Sequence, residues 1–155
     1  SCRLLPETHA VLNFLLRHRM HPLVSELPVA LRDAEGSVLC ATAVDLLCYD
    51  EATRTLCVVE VKTGYDGSFC RSTGCMEGVL RQFSNAPVNQ ALLQSACTAF
   101  ALSSSAHHLR RHMLRWCVLN VVGDHVTPHW PNATMHSRFF NAYRLLCGAT
   151  CNQKV

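Results

Sequence analysis

Apolar and polar positions alternate along this chain in two rhythms, one of helical and one of strand spacing. Between Pro6 and Met20, Val11, Leu12, Leu15 and Leu16, with Leu4 ahead of them, form a stripe that predicts an amphipathic helix. Pro6 suits its first turn, Glu7 its positive end, and His21-Pro22 stops it. Leu23 to Leu31 reads as a strand in which Pro28 requires an edge or a bulge, followed by a turn at Asp33–Ser37. Val38–Tyr49 and Thr55–Thr63 predict two further strands around the polar turn Asp50–Arg54. Val44, Leu46 and Cys48 are expected to share one face with Cys57, Val59 and Val61, with Leu47 and Val58 on the other. Apolar residues on both faces place these strands in the middle of a sheet covered on both sides.

Further along, Gly64–Cys75 is a long loop rich in Gly and Ser, and Met76–Phe83 reads as a short helix. Asn85–Ala101 predicts a second long helix, with Asn85 as cap, Pro87 in the first turn, and Val88, Leu92, Ala96, Ala99 and Phe100 as its buried stripe. Trp116–Val122 is a strand, Gly123-Asp124 a hairpin turn, and His125–Trp130 the return, with Pro128 marking an edge. Ser137–Cys147 is expected to be a final helix turning Phe139, Phe140, Tyr143 and Leu146 inward and ending at Gly148.

Composition narrows the class. At 155 residues, 49% hydrophobic and 16% charged, the chain is one domain able to bury a core. A net charge of +3 permits a nucleic-acid partner without requiring one. No apolar run is long enough to span a bilayer, so no membrane partner is expected. The N-terminus carries no signal-peptide pattern; its start at Ser1 fits a removed leader or tag, or a fragment. Ten cysteines without a CxxC or a secreted disulfide framework point to a reducing, intracellular compartment, and the Asn132 sequon is discounted on that ground. Cys70 and Cys75 are at most half a zinc site.

The candidate chemistry lies between Ala41 and Gly64. Glu60 and Lys62, two apart on a strand, share a face. A hairpin centred on Ala52 and Thr53 sets Asp45 opposite Glu60, where cross-strand Cβ atoms lie roughly 4.5–5.5 Å apart. Two such carboxylates repel, and a divalent cation between them would relieve the repulsion. A preceding turn centred on Glu35-Gly36 would set Glu26 opposite Asp45; a slip of one residue turns it to the other face, and Glu26 also fits an ordinary solvated strand residue. Arg71 in the following loop and the basic segment Ala106–Arg115 are candidate phosphate contacts, or solvated charges.

The order of an acid on one strand, Glu-x-Lys on the next and a Gln on the following helix resembles the PD-(D/E)xK nuclease superfamily, in particular its RecB-like exonuclease branch. Here the matching residues are Asp45, Glu60-Val61-Lys62 and Gln90. The resemblance implies an α/β, restriction-endonuclease-like sandwich with a mixed central sheet flanked by helices. It further implies Mg²⁺ (or Mn²⁺) held by Asp45, Glu60 and the Val61 carbonyl, with Glu26 and His9 as candidate further ligands. Lys62 would be the catalytic cation, Gln90 a positioning group, and DNA or RNA the substrate. His9 equally fits a half-exposed helical histidine without function. The chain departs from the branch at Thr42, where a Gly is usual, and at Gln94, where a Tyr is usual. Some RecB-like nucleases hold an iron–sulfur cluster with four cysteines; Cys2, Cys147 and Cys151 match it only in part. The alternative expectation is a nuclease-fold module that no longer cuts and serves a large ribonucleoprotein assembly, such as a mitochondrial ribosome.

Overall fold

The computed structural model describes residues 5–33, 35–105 and 114–146. Leu4, Cys2, Cys147, Cys151, Gly148 and most of the basic segment (106–113) lie outside the described residues. The elements run α1 (Pro6–Arg17), β1 (Met20–Arg32), β2 (Val38–Asp50), β3 (Thr55–Thr63), α2 (Pro87–Ser105), β4 (Leu114–Val122), β5 (His125–His129) and α3 (Ala133–Leu146). The five strands form one mixed sheet in the order β1-β2-β3-β4-β5. All neighbours are antiparallel except β3 and β4, which are parallel because α2 carries the chain back between them. The segment expected to be a short helix at Met76–Phe83 holds only a single 3-10 turn, Gly78–Leu80. No helix among the described residues is long and apolar enough to cross a membrane.

Apolar residues on both faces make this a three-layer α/β sandwich. On one face Cys48, Cys57, Val59, Cys117, Leu119 and Val121 pack against Ala10, Phe14 and Leu15 of α1. On the other, Val44, Leu47, Val58, Trp116 and Val118 pack against Leu92, Ala96 and Ala99 of α2 and Phe139 of α3. The two proline-bearing strands, β1 and β5, are the edges, where a missing N–H costs least.

The packing departs from the expected pattern in two places. Val44 was expected beside Leu46 and Cys48, but it belongs to the α2 face with Leu47. Strand alternation therefore breaks at Asp45. In α1 the buried face is Ala10, Phe14 and Leu15, whereas Leu12 and Leu16 are 40% and 76% exposed. The helix presents a narrower stripe to the sheet than its leucines suggest, and leaves the rest uncovered.

Candidate active site at a fork in the sheet

The β2–β3 hairpin sets the geometry. Its ladder runs Asp50↔Thr55, Tyr49↔Leu56, Cys48↔Cys57, Leu47↔Val58 and Leu46↔Val59. The register is that of a turn centred on Ala52 and Thr53. Asp50 ties this turn: its carboxylate accepts from the amides of Ala52 (3.0 Å) and Thr53 (3.3 Å), from the Thr53 hydroxyl (2.7 Å) and from Arg115 (2.9 Å). Burial alone would raise the Asp50 pKa, but the hydrogen bonds from Thr53 and Ala52 and the Arg115 charge together hold it below the usual value.

The ladder stops one step before Asp45 and Glu60. There the Val61 amide donates to Asp45 Oδ2 at 2.9 Å, a side-chain carboxylate standing where a strand carbonyl would otherwise serve. Beyond that point β3 keeps its pairing with β4 as far as Thr63↔Val121, while β2 keeps its pairing with β1. The sheet thus forks between β2 and β3. β1 continues on either side through Ser25↔Leu46 and Leu27↔Val44, which sets Glu26 opposite Asp45. Glu26 takes a left-handed backbone, φ +53°, unusual for a side-chain-bearing strand residue.

Glu60 and Lys62 project from β3 on the α2 side, in step with Val58. Glu60 is 1% exposed. Lys62 Nζ donates to its Oε1 at 2.7 Å and to Gln94 Oε1 of α2 at 3.1 Å. Glu60 Oε2 is buried and has no hydrogen-bond partner among the described residues. Burial raises the Glu60 pKa; the Lys62 hydrogen bond opposes this, and the charges of Asp45 and Glu26 add to the rise. On the other face of the fork lies an open groove of about 840 Å³ floored by α1, with Leu12, Leu15, Leu46 and Val61 on its walls and Glu7, Glu26 and Asp45 along it.

The fork therefore brings together Asp45, Glu60, Val61, Lys62 and Glu26. It does not bring in His9, which is exposed on α1 and is not part of the groove wall; Glu7, Thr8, Val11, Leu12 and Leu15 are the α1 residues there. Gln90 is also elsewhere: its amide donates to Asn85 Oδ1 (2.7 Å) at the start of α2, and the helical partner of Lys62 is Gln94, one turn further on. Neither Glu7, read only as an acid at the helix start, nor Asn120 was expected at the site from the sequence. Asn120 is the register partner of Lys62 on β4, and its Oδ1 is buried without a partner. Its signal was present as the single polar residue in Trp116–Val122, WCVLNVV.

A divalent ion can be tested against these donors. Glu60 Oε2, which has no partner among the described residues, and the Asp45 carboxylate, near enough for its charge to raise the Glu60 pKa, are hard oxygens of the kind Mg²⁺ takes while keeping most of its waters. No group of three or more His, Cys, Asp or Glu side chains among the described residues is arranged to hold a metal, so water would fill most of the shell. The donor set fits a hydrated hard ion and not a closed structural site. Comparison of the chain with protein-family models and with curated proteins gives no match.

Proposed function

We propose that this protein is a metal-dependent nuclease of the PD-(D/E)xK type that hydrolyses phosphodiester bonds in DNA or RNA. The observation carrying the proposal is the buried Glu60, with one oxygen on Lys62 and the other unpartnered, at a fork where Asp45 ends the strand pairing. A packing role gives no reason for a buried carboxylate with a free oxygen, since an apolar residue would fill the position at lower cost.

In this reading Asp45 and Glu60, with the Val61 carbonyl, hold Mg²⁺ or Mn²⁺. The ion when bound supplies Lewis acidity toward the phosphoryl oxygen and a more acidic water. Lys62 orients the attacking water and stabilises the negative charge that grows on the phosphoryl oxygens as the P–O bond to the leaving group breaks. Gln94 accepts from the Lys62 ammonium on the α2 side, taking the place expected for Gln90. The test is cleavage of labelled single- and double-stranded DNA and RNA with Mg²⁺ or Mn²⁺. Cutting should depend on the metal and fall at least about 10²–10³-fold in Lys62→Ala and Asp45→Asn.

A second reading, a non-cutting nuclease-fold module seated in a larger nucleoprotein assembly, draws on one observation. Leu5, Leu16 and Leu23 are each more than half exposed on α1 and β1, beside partly exposed Leu12 and Val24. Absence of cleavage on every substrate by the folded protein, together with absence of metal binding, would favour it over the nuclease.

A further inference from the structure

The chain holds fourteen basic Lys and Arg residues, of which only Lys62 and Lys154 are lysines. The two side chains differ in a way that matters at the fork. A guanidinium is a rigid planar fork, whereas an ammonium is a compact charge with three donors on a flexible stem and can move between acceptors. Around Lys62 the acceptors outnumber its donors. Glu60 Oε1 and Gln94 Oε1 each take one hydrogen bond from it. Glu60 Oε2 and Asn120 Oδ1 are both buried and both lack a partner among the described residues. Asn120 is level with Lys62 across the β3–β4 pair, and two residues beyond Val118, which packs on the α2 side. It therefore shares the Lys62 face, about 4.8 Å away in the strand-to-strand direction. Buried amide oxygens are rarely left without a donor, so this one calls for an account.

We propose that Lys62 is a displaceable countercharge on Glu60, and that Asn120 and Gln94 form the neutral seat that receives its ammonium when a divalent cation takes Glu60. The inference rests on the metal-site reading above. Without metal, Lys62 neutralises Glu60. With metal, Glu60 would be released to the ion, and the ammonium would move to two amide oxygens that hold it without cancelling its charge. Lys62 then stays in the site as a full cation, available to the phosphoryl group. Asn120 and Gln94 are positioning residues in this scheme. The cost is that the ion must load against a resident ammonium.

The test is Mn²⁺ titration by calorimetry at pH 8 on the full chain and on Lys62→Met, Lys62→Arg, Asn120→Leu and the Lys62→Met/Asn120→Leu double variant, each checked for folding by circular dichroism. Lys62→Met should bind Mn²⁺ about tenfold tighter or more, because a like charge beside the ion is gone, while losing cleavage. Lys62→Arg keeps the charge and should not tighten binding. Asn120→Leu should weaken binding by roughly threefold to tenfold, and should have no effect in the Lys62→Met background, where there is no ammonium to seat. Wild-type binding that Lys62→Met does not tighten, or an Asn120→Leu effect that persists without Lys62, overturns the displacement scheme and leaves the nuclease reading standing. Absence of Mn²⁺ binding in both wild type and Lys62→Met overturns both.

Discussion

Asp50 is the residue whose removal most directly tests the hairpin that sets the site. Its carboxylate accepts hydrogen bonds from Ala52, twice from Thr53, and from Arg115 on β4. Asp50 is 6% exposed, so Asp50→Ala leaves two turn amides and a guanidinium to find water at the sheet end. Breaking a buried charged partnership costs about 3–5 kcal/mol. Arg115 retains 36% side-chain exposure and the face of Trp130 at 4.5 Å, so the lower end, about 3 kcal/mol, is expected. For a chain of this size that is a fall in Tm of roughly 6–12 °C. Asp50→Asn keeps one oxygen for the amides and should recover about half of it.

The pH dependence adds a sign. A carboxyl held below its ordinary value gives stability that is present above the unfolded value, 3.8, and is lost as pH falls through the lowered folded value. Urea unfolding of wild type and Asp50→Ala should therefore differ most near pH 7 and converge toward pH 3. An Asp50→Ala protein that melts within about 2 °C of wild type at pH 7 would refute the reasoning. So would a gap that is the same at both ends of the range.

Two further outcomes follow from buried groups. Cys48, Cys57 and Cys117 lie on neighbouring strands under α1, fully buried, and burial with the neighbouring Cys57 pushes the Cys48 thiol up to about 12. Alkylation of the native protein at pH 8 should label exposed Cys40, Cys70 and Cys75 and spare these three, as read by peptide mass spectrometry; labelling of Cys48 at a matching rate would contradict the packing. Burial of His129 against Phe69 (ring centroids 5.1 Å) depresses its pKa. Its contribution is thus complete above its unfolded value, 6.5, and is lost as pH falls toward the folded one. His129→Leu should flatten the fall in Tm between pH 7 and 5, and an unchanged slope would count against that burial.

Much of the hairpin was legible because its signals are local. A polar turn between two apolar runs sets one register, and that register carries the ladder to Leu46↔Val59, one step short of Asp45 and Glu60. The fork was not legible. Nothing in the alternation of Val44, Asp45 and Leu46 announces that a carboxylate will take the Val61 amide and that Val44 will change faces. Gln90 and Gln94 lie one helical turn, about 5.4 Å, apart, and which of them meets Lys62 depends on how far α2 slides along the sheet. That is a tertiary quantity with no trace in helical spacing. The α1 stripe was misjudged for a related reason. Leu15 is buried as its spacing suggests, yet Ala10 and Phe14, and not Leu12 and Leu16, complete the face that fits the twisted sheet. Asn120 could have been found, since a lone amide in an otherwise apolar central strand is costly unless something uses it.

Glu60 offers the sharpest separation of the two functional readings. An acid whose folded pKa is raised keeps its proton longer in the folded than in the unfolded state, so stability declines as pH rises from the unfolded value, 4.5, through the folded one. Glu60→Gln removes that charge, while Lys62, with 27% of its side chain exposed, keeps Gln94 and water. Metal-free Glu60→Gln should therefore be more stable than wild type at pH 8, with the advantage shrinking toward pH 5. Mn²⁺ should reverse the order, because an ion that binds only the folded wild type adds about 2.7 kcal/mol at a hundred times its Kd and adds nothing to the variant. Such a residue costs stability until a ligand arrives, which is how a site retained for chemistry behaves. Thermal melts with and without Mn²⁺ read both signs. If Glu60→Gln is less stable than wild type at every pH and Mn²⁺ shifts neither, the Glu60–Lys62 pair is structural, and the non-cutting module becomes the better account of this protein.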